Sequence, residues 1–441
     1  MAELRQGGWG YHMCGQRNSS QVSIEAELAG LTDQINRYAE LLVRKGVALR
    51  PGQELVVTGP IERADFVRVV VRCAYEAGAG NVTVIWSDDE LSRLNYQYHE
   101  SSFFEHVPAW KRSQLNDLAD AGAAFLTLTG SDPNGLKGVA PEKIATASRA
   151  HNEQCAAYRE ALLFGRCAWC IAGVPVVAWA RTVFPEMGDH EAVLHLWRSI
   201  LSTARADGPD PQEAWERHNA AFEKNKRIMN DYAFDHLRYR SANGTDFVIG
   251  MNKGHRWEGG SSIGSDGRVF FPNIPTEEVF TSPDRLRADG IVHSAMPLVY
   301  AGNVIDDFWL RFEAGKVVEF GAREGEDVLR SIVESDEGSC RLGECALVAK
   351  DTPIRQSGLL FFNTLYDENA SCHLALGKGF PECVEGGFEM SSDELAAHGV
   401  NTSMTHVDFM IGSDDLEIVG VTEDGEEVPV FLEGRWAWSE A

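Results

Sequence analysis

Four short segments in the second half of the chain collect the residue types that hold a hard or borderline divalent ion: PNIPTEEVFTSP (272–283), RLGECALV (341–348), NTLYDENASCHLALGKGF (363–380) and NTSMTHVDFMIGS (401–413). In the last of these, His406 and Asp408 alternate along an otherwise apolar run. Alternation along a strand puts both on one face, so the H-x-D pair can reach a common ion. Glu344 sits in LGECALV, which reads as a strand with apolar neighbours. Glu368 and His373 flank an expected strand-to-helix transition, with DENA supplying turn and N-cap chemistry. Taken singly each segment is ordinary: the Glu277–Glu278 pair reads as a solvated turn, Glu344 as the partner of an arginine, His373 as a core histidine. The combination carries the reading. Carboxylates and imidazoles without clustered thiolates suit zinc, cobalt or manganese, and a carboxylate-rich set can bridge two ions about 3.5 to 4 Å apart. The chemistry of such a centre is metal-assisted hydrolysis. Cys345 and Cys372 stand beside the proposed ligands without needing to face the metal.

Presenting these residues on one surface requires strands and turns. Turn signals recur about every ten residues in this half, at Asn243-Gly244, Asp266-Gly267, Ala301-Gly302-Asn303 and Ala314-Gly315, with β-branched and aromatic alternation between them. Asn243-Gly244, between HLRYRSA and TDFVIGM, is the clearest hairpin signal. The first half is of another kind. ELVVTG (54–59) and NVTVIW (81–86) read as short apolar strands on either side of IERADFVRVVVRCAYEAG, whose apolar spacing is helical. A strand, helix, strand unit implies parallel pairing. The glycines of AGAGN (77–81) lie at the C-terminal end of that helix, where a glycine cap belongs. A dinucleotide fingerprint would stand at the helix N-terminus instead. AAFLTLTG and IAGVPVVAWA add candidate buried strands, and PEKIATASRAHNEQCAAYREALL a helical segment.

The expected architecture is an α/β N-terminal domain (1–205, its pattern running from about residue 20), a helical linker (206–235, PQEAWERHNAAFEKNKRIMNDYAF) and a β-rich α+β C-terminal metal-binding domain (236–441). A chain of 441 residues exceeds what one hydrophobic core usually serves, which agrees with two domains. A net charge of −26 without any basic run excludes nucleic acid as a partner. No segment approaches the roughly 18 apolar residues of a membrane span, and MAELRQGGWGYHMCGQ lacks a basic and then apolar leader. Nine scattered cysteines fit reduced thiols, and the expected location is the cytoplasm. Cys167 and Cys170 of CAWC run into an apolar stretch without a second CxxC and read as core cysteines.

On the motifs PTEEVFT, GECALV, NTLYDENASCHLALG and NTSMTHVDFMIGS, the chain resembles the M29 metallopeptidases of the aminopeptidase T and aminopeptidase S type over nearly its whole length. The resemblance implies a two-metal aminopeptidase that acts on peptides, built as a homodimer with an enclosed active site. It assigns Glu278, Glu344, Glu368, His373, His406 and Asp408 as metal ligands, with Glu344 bridging. Which of Glu277 and Glu278 binds metal stays open at this point. Glu277 is the candidate carboxylate for carrying a proton to the leaving amine. One departure stands out: seven residues after His373, where the family carries a tyrosine, this chain has Phe380. A lost transition-state hydroxyl costs about 2.7 to 4 kcal/mol. Tyr366 is a candidate substitute donor. Two alternative readings are a ring-opening iron dioxygenase on the same scaffold and a catalytically weakened homologue that binds metal or peptide.

Overall fold

The computed structural model describes residues 30–300 and 303–439. The segment MAELRQGGWGYHMCGQ and the Ala301-Gly302 part of one expected turn lie outside them. In the first half, strands β1 (Glu54–Pro60), β2 (Asn81–Ser87), β3 (Ala124–Thr129) and β4 (Trp169–Gly173) form a parallel sheet in the order β2-β1-β3-β4. The helix Ala64–Glu76 crosses from β1 to β2 and buries Phe66, Val67, Val70 and Ala74, the positions its spacing marks as apolar. It ends at Ala77, and Gly78 takes φ +95°, a conformation in which a Cβ would be strained. The segment 141–163 forms two helices, Pro141–Gln154 and Ala156–Leu163, that meet at Cys155. Cys167 and Cys170 are buried free thiols in and beside β4.

The long helix Pro211–Tyr232 leads to β5 (His236–Arg240) and β6 (Asp246–Met251), a hairpin closed by the five-residue loop 241–245 around Asn243-Gly244. Next come β7 (Ser262–Ile263) and β8 (Val269–Phe270), turning at Asp266-Gly267, and then β9 (Asn273–Ile274). This two-residue strand adds to β4 in parallel, so the first sheet takes its fifth strand from far along the chain. Strands β10 (Val279–Thr281), β11 (Pro283–His293), β12 (Leu298–Tyr300), β13 (Asn303–Glu313) and β14 (Lys316–Glu324) follow, with β13 and β14 joined through Ala314-Gly315. The chain then runs through β15 (Leu342–Leu347), β16 (His373–Gly377), β17 (His406–Met410), β18 (Glu417–Val421), β19 (Glu427–Leu432) and β20 (Arg435–Trp436).

These strands build a large, mainly antiparallel sheet, β12-β13-β11-β6-β5-β18-β19-β20 with β14 on β13, and a four-stranded antiparallel sheet, β10-β15-β16-β17. The two share a core that includes Phe247, Leu310, Leu374, Phe409 and Phe431. The α/β unit with a β-rich second region is as the sequence predicts. Period-two alternation decides what the small sheet shows on its other face. Cys345 and Leu347, Leu374 and Leu376, and Val407 and Phe409 point into the shared core. Glu344 and Ala346, His373 and Ala375, and His406 and Asp408 are therefore left on the opposite face.

One expectation is corrected. The segment around DENA is a helix-to-strand transition: a short helix, Thr364–Asp367, a 3-10 turn, Glu368–Ala370, and then β16. DENA supplies no N-cap. Asn363, four residues upstream of Asp367, caps the helix by accepting the Leu365 N–H on its side chain.

Candidate metal centre

Register places the ligands. Glu344 on β15 and Asp408 on β17 both stand opposite Ala375 of the central strand β16, so the three form one row across the sheet. His373 occupies the next row on the same face, opposite Ala346 and Met410, and His406 lies opposite Gly377. A register shift between Leu342 and Glu344, at Gly343, aligns Glu344 with Ala375. Bulges commonly re-aim a side chain beside an active site. The backbone approaches closely there: a Cβ on Gly343 would come 2.3 Å from the Lys378 carbonyl oxygen. Glu278 arrives on the residue before β10, and Glu368 on the turn that precedes β16.

Among the described residues, two donor groups have ligand atoms all within 4.8 Å of one another: Glu278, Glu344 and His373, and Glu344, His406 and Asp408. Glu344 belongs to both. His373 Nε2 is 3.2 Å from Glu278 Oε2, and His406 Nε2 is 3.0 Å from Glu344 Oε2. Each ring is oriented from behind. His373 Nδ1 faces the Ser371 carbonyl at 3.1 Å and His406 Nδ1 the Lys378 carbonyl at 2.7 Å. A carbonyl only accepts, so both Nδ1 atoms carry hydrogen and both Nε2 atoms are the ones turned to the carboxylates.

The electrostatics call for a cation. Four carboxylates, Glu278, Glu344, Glu368 and Asp408, face two imidazoles in a largely buried space. Burial, together with the charges of Asp408 and Glu278, pushes the Glu344 carboxyl up to about 7 despite its hydrogen bond with His406. Burial and the same crowding hold Glu368 well above the usual range. Burial alone would lower the histidines, but Glu278 raises His373 to about 10, and Asp408 and Glu344 raise His406 to about 11. Burial opposes ionisation of Asp408, yet its contact with His406 keeps its carboxyl low. Asp408 Oδ1, 3.2 Å from His406 Nε2 but off the donor direction, is buried without a hydrogen bond. A buried, unpaired oxygen beside an excess of negative charge is the environment a divalent ion relieves. The oxygen and imidazole donors present fit such an ion.

Glu277 is disposed differently. Its carboxylate takes both terminal nitrogens of Arg205, at 2.7 and 3.0 Å, and lies 3.5 Å from His218 Nε2. The adjacent glutamates are thus sorted: Glu278 joins the donor group and Glu277 an arginine. Phe380 lies at the site, its ring 5.0 Å from that of His406 and 5.6 Å from Phe280, with its N–H donating to Ser282 Oγ. Tyr366 does not replace the missing hydroxyl. It is fully buried against Phe361 and Trp179 in the first core, close to Gly173. Sequence reasoning missed Arg205, His218, Asn369 and Ala375. For the first two nothing local gives them away, since each contacts a segment more than fifty residues distant.

A carboxylate- and imidazole-lined centre on an antiparallel sheet, packed back to back with a larger antiparallel sheet, fits a metal-dependent hydrolase. Residues 31–436 match the family described as Thermophilic metalloprotease (M29), and the chain belongs to that family. It is 42% identical over 407 residues to aminopeptidase AmpS of Bacillus subtilis, an alignment spanning 92% of this chain and 99% of that protein. Identity to aminopeptidase 2 of Geobacillus stearothermophilus is 43% over 405 residues, covering 92% and 98% of the two chains. The structure of wild-type AmpT from Thermus thermophilus, 40% identical, superposes with a TM-score of 0.86 over 92% of this chain and all of that one. A 2,5-dihydroxypyridine dioxygenase from Pseudomonas putida reaches a TM-score of 0.50 at 12% identity, covering 92% and 97%. That is a likeness of fold alone, and the sequence kinship lies with the peptidases. No helix among the described residues is long and apolar enough to cross a membrane.

Proposed function

We propose that the protein is a two-metal aminopeptidase that releases N-terminal residues from peptides. The observation that carries this reading is the pair of donor groups sharing Glu344. On it, Glu278 and His373 hold one divalent ion, His406 and Asp408 hold the other, Glu344 bridges them, and Glu368 completes the set. Two ions bound there would supply an activated water and polarise the scissile carbonyl. The chain's own part is to fix the donors: Ser371 and Lys378 carbonyls set the two imidazole rings, and Ala375 puts only a methyl group in the row between Glu344 and Asp408. Phe380 puts an apolar ring beside His406, with Phe280 packed edge-on against it. Kinship with proteins named aminopeptidase AmpS, aminopeptidase 2 and aminopeptidase T supports the substrate class.

Cobalt, zinc and manganese are the proposed ions, because the donor set is oxygen-rich with imidazole. We also propose a homodimer in the cytoplasm. The family resemblance supports the dimer, and eight free thiols among the described residues suit a reducing compartment. Sedimentation at micromolar concentration tests the dimer. The activity is tested by cleavage of an aminoacyl-amide panel by chelator-stripped protein, with and without cobalt, zinc, manganese or iron(II). Restoration by any of the first three supports the reading. No cleavage with any ion, or iron-specific oxygen uptake, overturns it.

A further inference from the structure

The segment Thr276–Glu278, which delivers the ligand Glu278, is gripped from several sides. His218 Nε2 lies 2.8 Å from the Thr276 carbonyl oxygen, which only accepts, so that nitrogen donates. The Glu277 N–H donates to Asn369 Oδ1 at 2.7 Å, and the Glu277 carboxylate holds the forked guanidinium of Arg205. The Glu278 carbonyl oxygen lies so close to Gly259 that a Cβ there would be 2.3 Å away. These grips come from separate parts of the chain. Arg205 follows the helix Asp189–Thr203, and His218 sits on the helix Pro211–Tyr232, its ring edge-on to Trp215 and Phe222. Asn369 directly follows Glu368, is fully buried, and donates its Nδ2 to the Leu365 carbonyl. The loops carrying Glu278 and Glu368 are thereby tied to each other through one amide and to the first half through one ion pair.

Arg205 has φ +54°, a conformation uncommon for a residue with a side chain and one that surrounding structure must maintain. Its guanidinium engages both oxygens of Glu277, at 2.7 and 3.0 Å, a two-pronged contact that fixes the orientation of that carboxylate. We propose that Arg205, His218 and Asn369 are positioning residues acting through Thr276 and Glu277, and that this brace sets the capacity of Glu278 and Glu368 to hold metal. The inference rests on the metal-centre reading above.

Metal uptake by chelator-stripped protein, measured by titration calorimetry with manganese and by elemental analysis, tests it on wild type, Arg205→Met, Glu277→Gln and the double variant R205M/E277Q. The expected result is a loss of about ten- to a hundredfold in affinity for at least one ion in each single variant, as for other residues that orient ligands. The double variant should lose no more than either single one, because both act through one pair. Excess metal should restore kcat, with KM for the peptide and the pH profile unchanged. Arg205→Met leaves a buried carboxylate unpaired, so if it fails to fold the double variant, which removes both charges, carries the comparison. Wild-type affinity in the double variant overturns the brace. So does a Glu277→Gln protein that binds metal normally but has lost its turnover. A wild-type protein that takes up no metal overturns the metal centre itself, a distinct failure.

Discussion

At the scale of single residues, Glu344 is the test of the centre, because it alone belongs to both donor groups. Glu344→Gln keeps the shape, removes the charge and replaces one acceptor oxygen with an amide that cannot bridge. The expected outcome is fewer ions per chain by elemental analysis and a fall in turnover of at least about a hundredfold. Full activity with full metal content would remove the bridging role. Phe380 gives the complementary gain-of-function test. Its ring already stands beside His406, so Phe380→Tyr adds one hydroxyl with little change in packing. Turnover of aminoacyl amides should rise, by up to about a hundredfold if the hydroxyl stabilises the tetrahedral transition state. An unchanged or lower rate would show a site adapted to phenylalanine. Both residues were legible in the sequence because donor chemistry and a departure from a motif are local properties. Glu277 was not, since the only difference between it and Glu278 is which distant side chain each one meets. Arg205 lies 72 positions away from Glu277, and no local pattern announces such a pairing.

At the scale of elements, the small β10-β15-β16-β17 sheet works because one face is packed into the shared core and the other carries donors around a small residue. The alternation His406-x-Asp408 and the strand character of LGECALV made that face readable. The central role of Ala375 was hidden, because an alanine in HLALG looks like filler until register sets it between Glu344 and Asp408. Ala375→Leu would project a branched side chain into that gap. Overpacking costs about 1 to 3 kcal/mol, which a domain of this size should survive. The expected result is therefore a folded protein by far-UV circular dichroism that no longer takes up its full complement of metal, while Ala375→Gly retains it. A leucine variant with normal metal content would show that the ions sit elsewhere. Long, regular elements such as the helix Pro211–Tyr232 were legible from periodicity. The two-residue strand β9 was not, since so short a piece has no period and is a strand only because β4 has an open edge beside it. The reversal at DENA has a similar cause: Asn363 and Asp367 both have capping chemistry, and only the folded loop shows that Asn363 is the one used.

At the scale of the whole molecule, the centre links metal, protons and stability. In metal-free protein Glu344 titrates near 7, above the ordinary value of about 4.3. Between those two values the folded state keeps a proton that the unfolded chain has lost, so this group makes the fold less stable as pH rises. His373 and His406, raised to about 10 and about 11, contribute stability that is fully present below their ordinary value of about 6.5 and is lost as pH rises through the raised values. Asp408, already held low, adds no such slope near neutrality. An ion bound by these donors needs ionised carboxylates and unprotonated Nε2 atoms, so binding expels protons, and the advantage of the loaded protein must grow with pH. Calorimetric unfolding at pH 6, 7 and 8, with stripped protein and with a fixed excess of manganese, measures it. The stabilisation by metal should widen by at least about 1.4 kcal/mol per pH unit, the effect of one displaced proton. Subtracting stripped from loaded protein at each pH cancels the many surface carboxylates of this acidic chain, which titrate alike in both. A metal-induced shift that is the same at all three pH values would mean that the ion is not held by Glu344, His373 and His406.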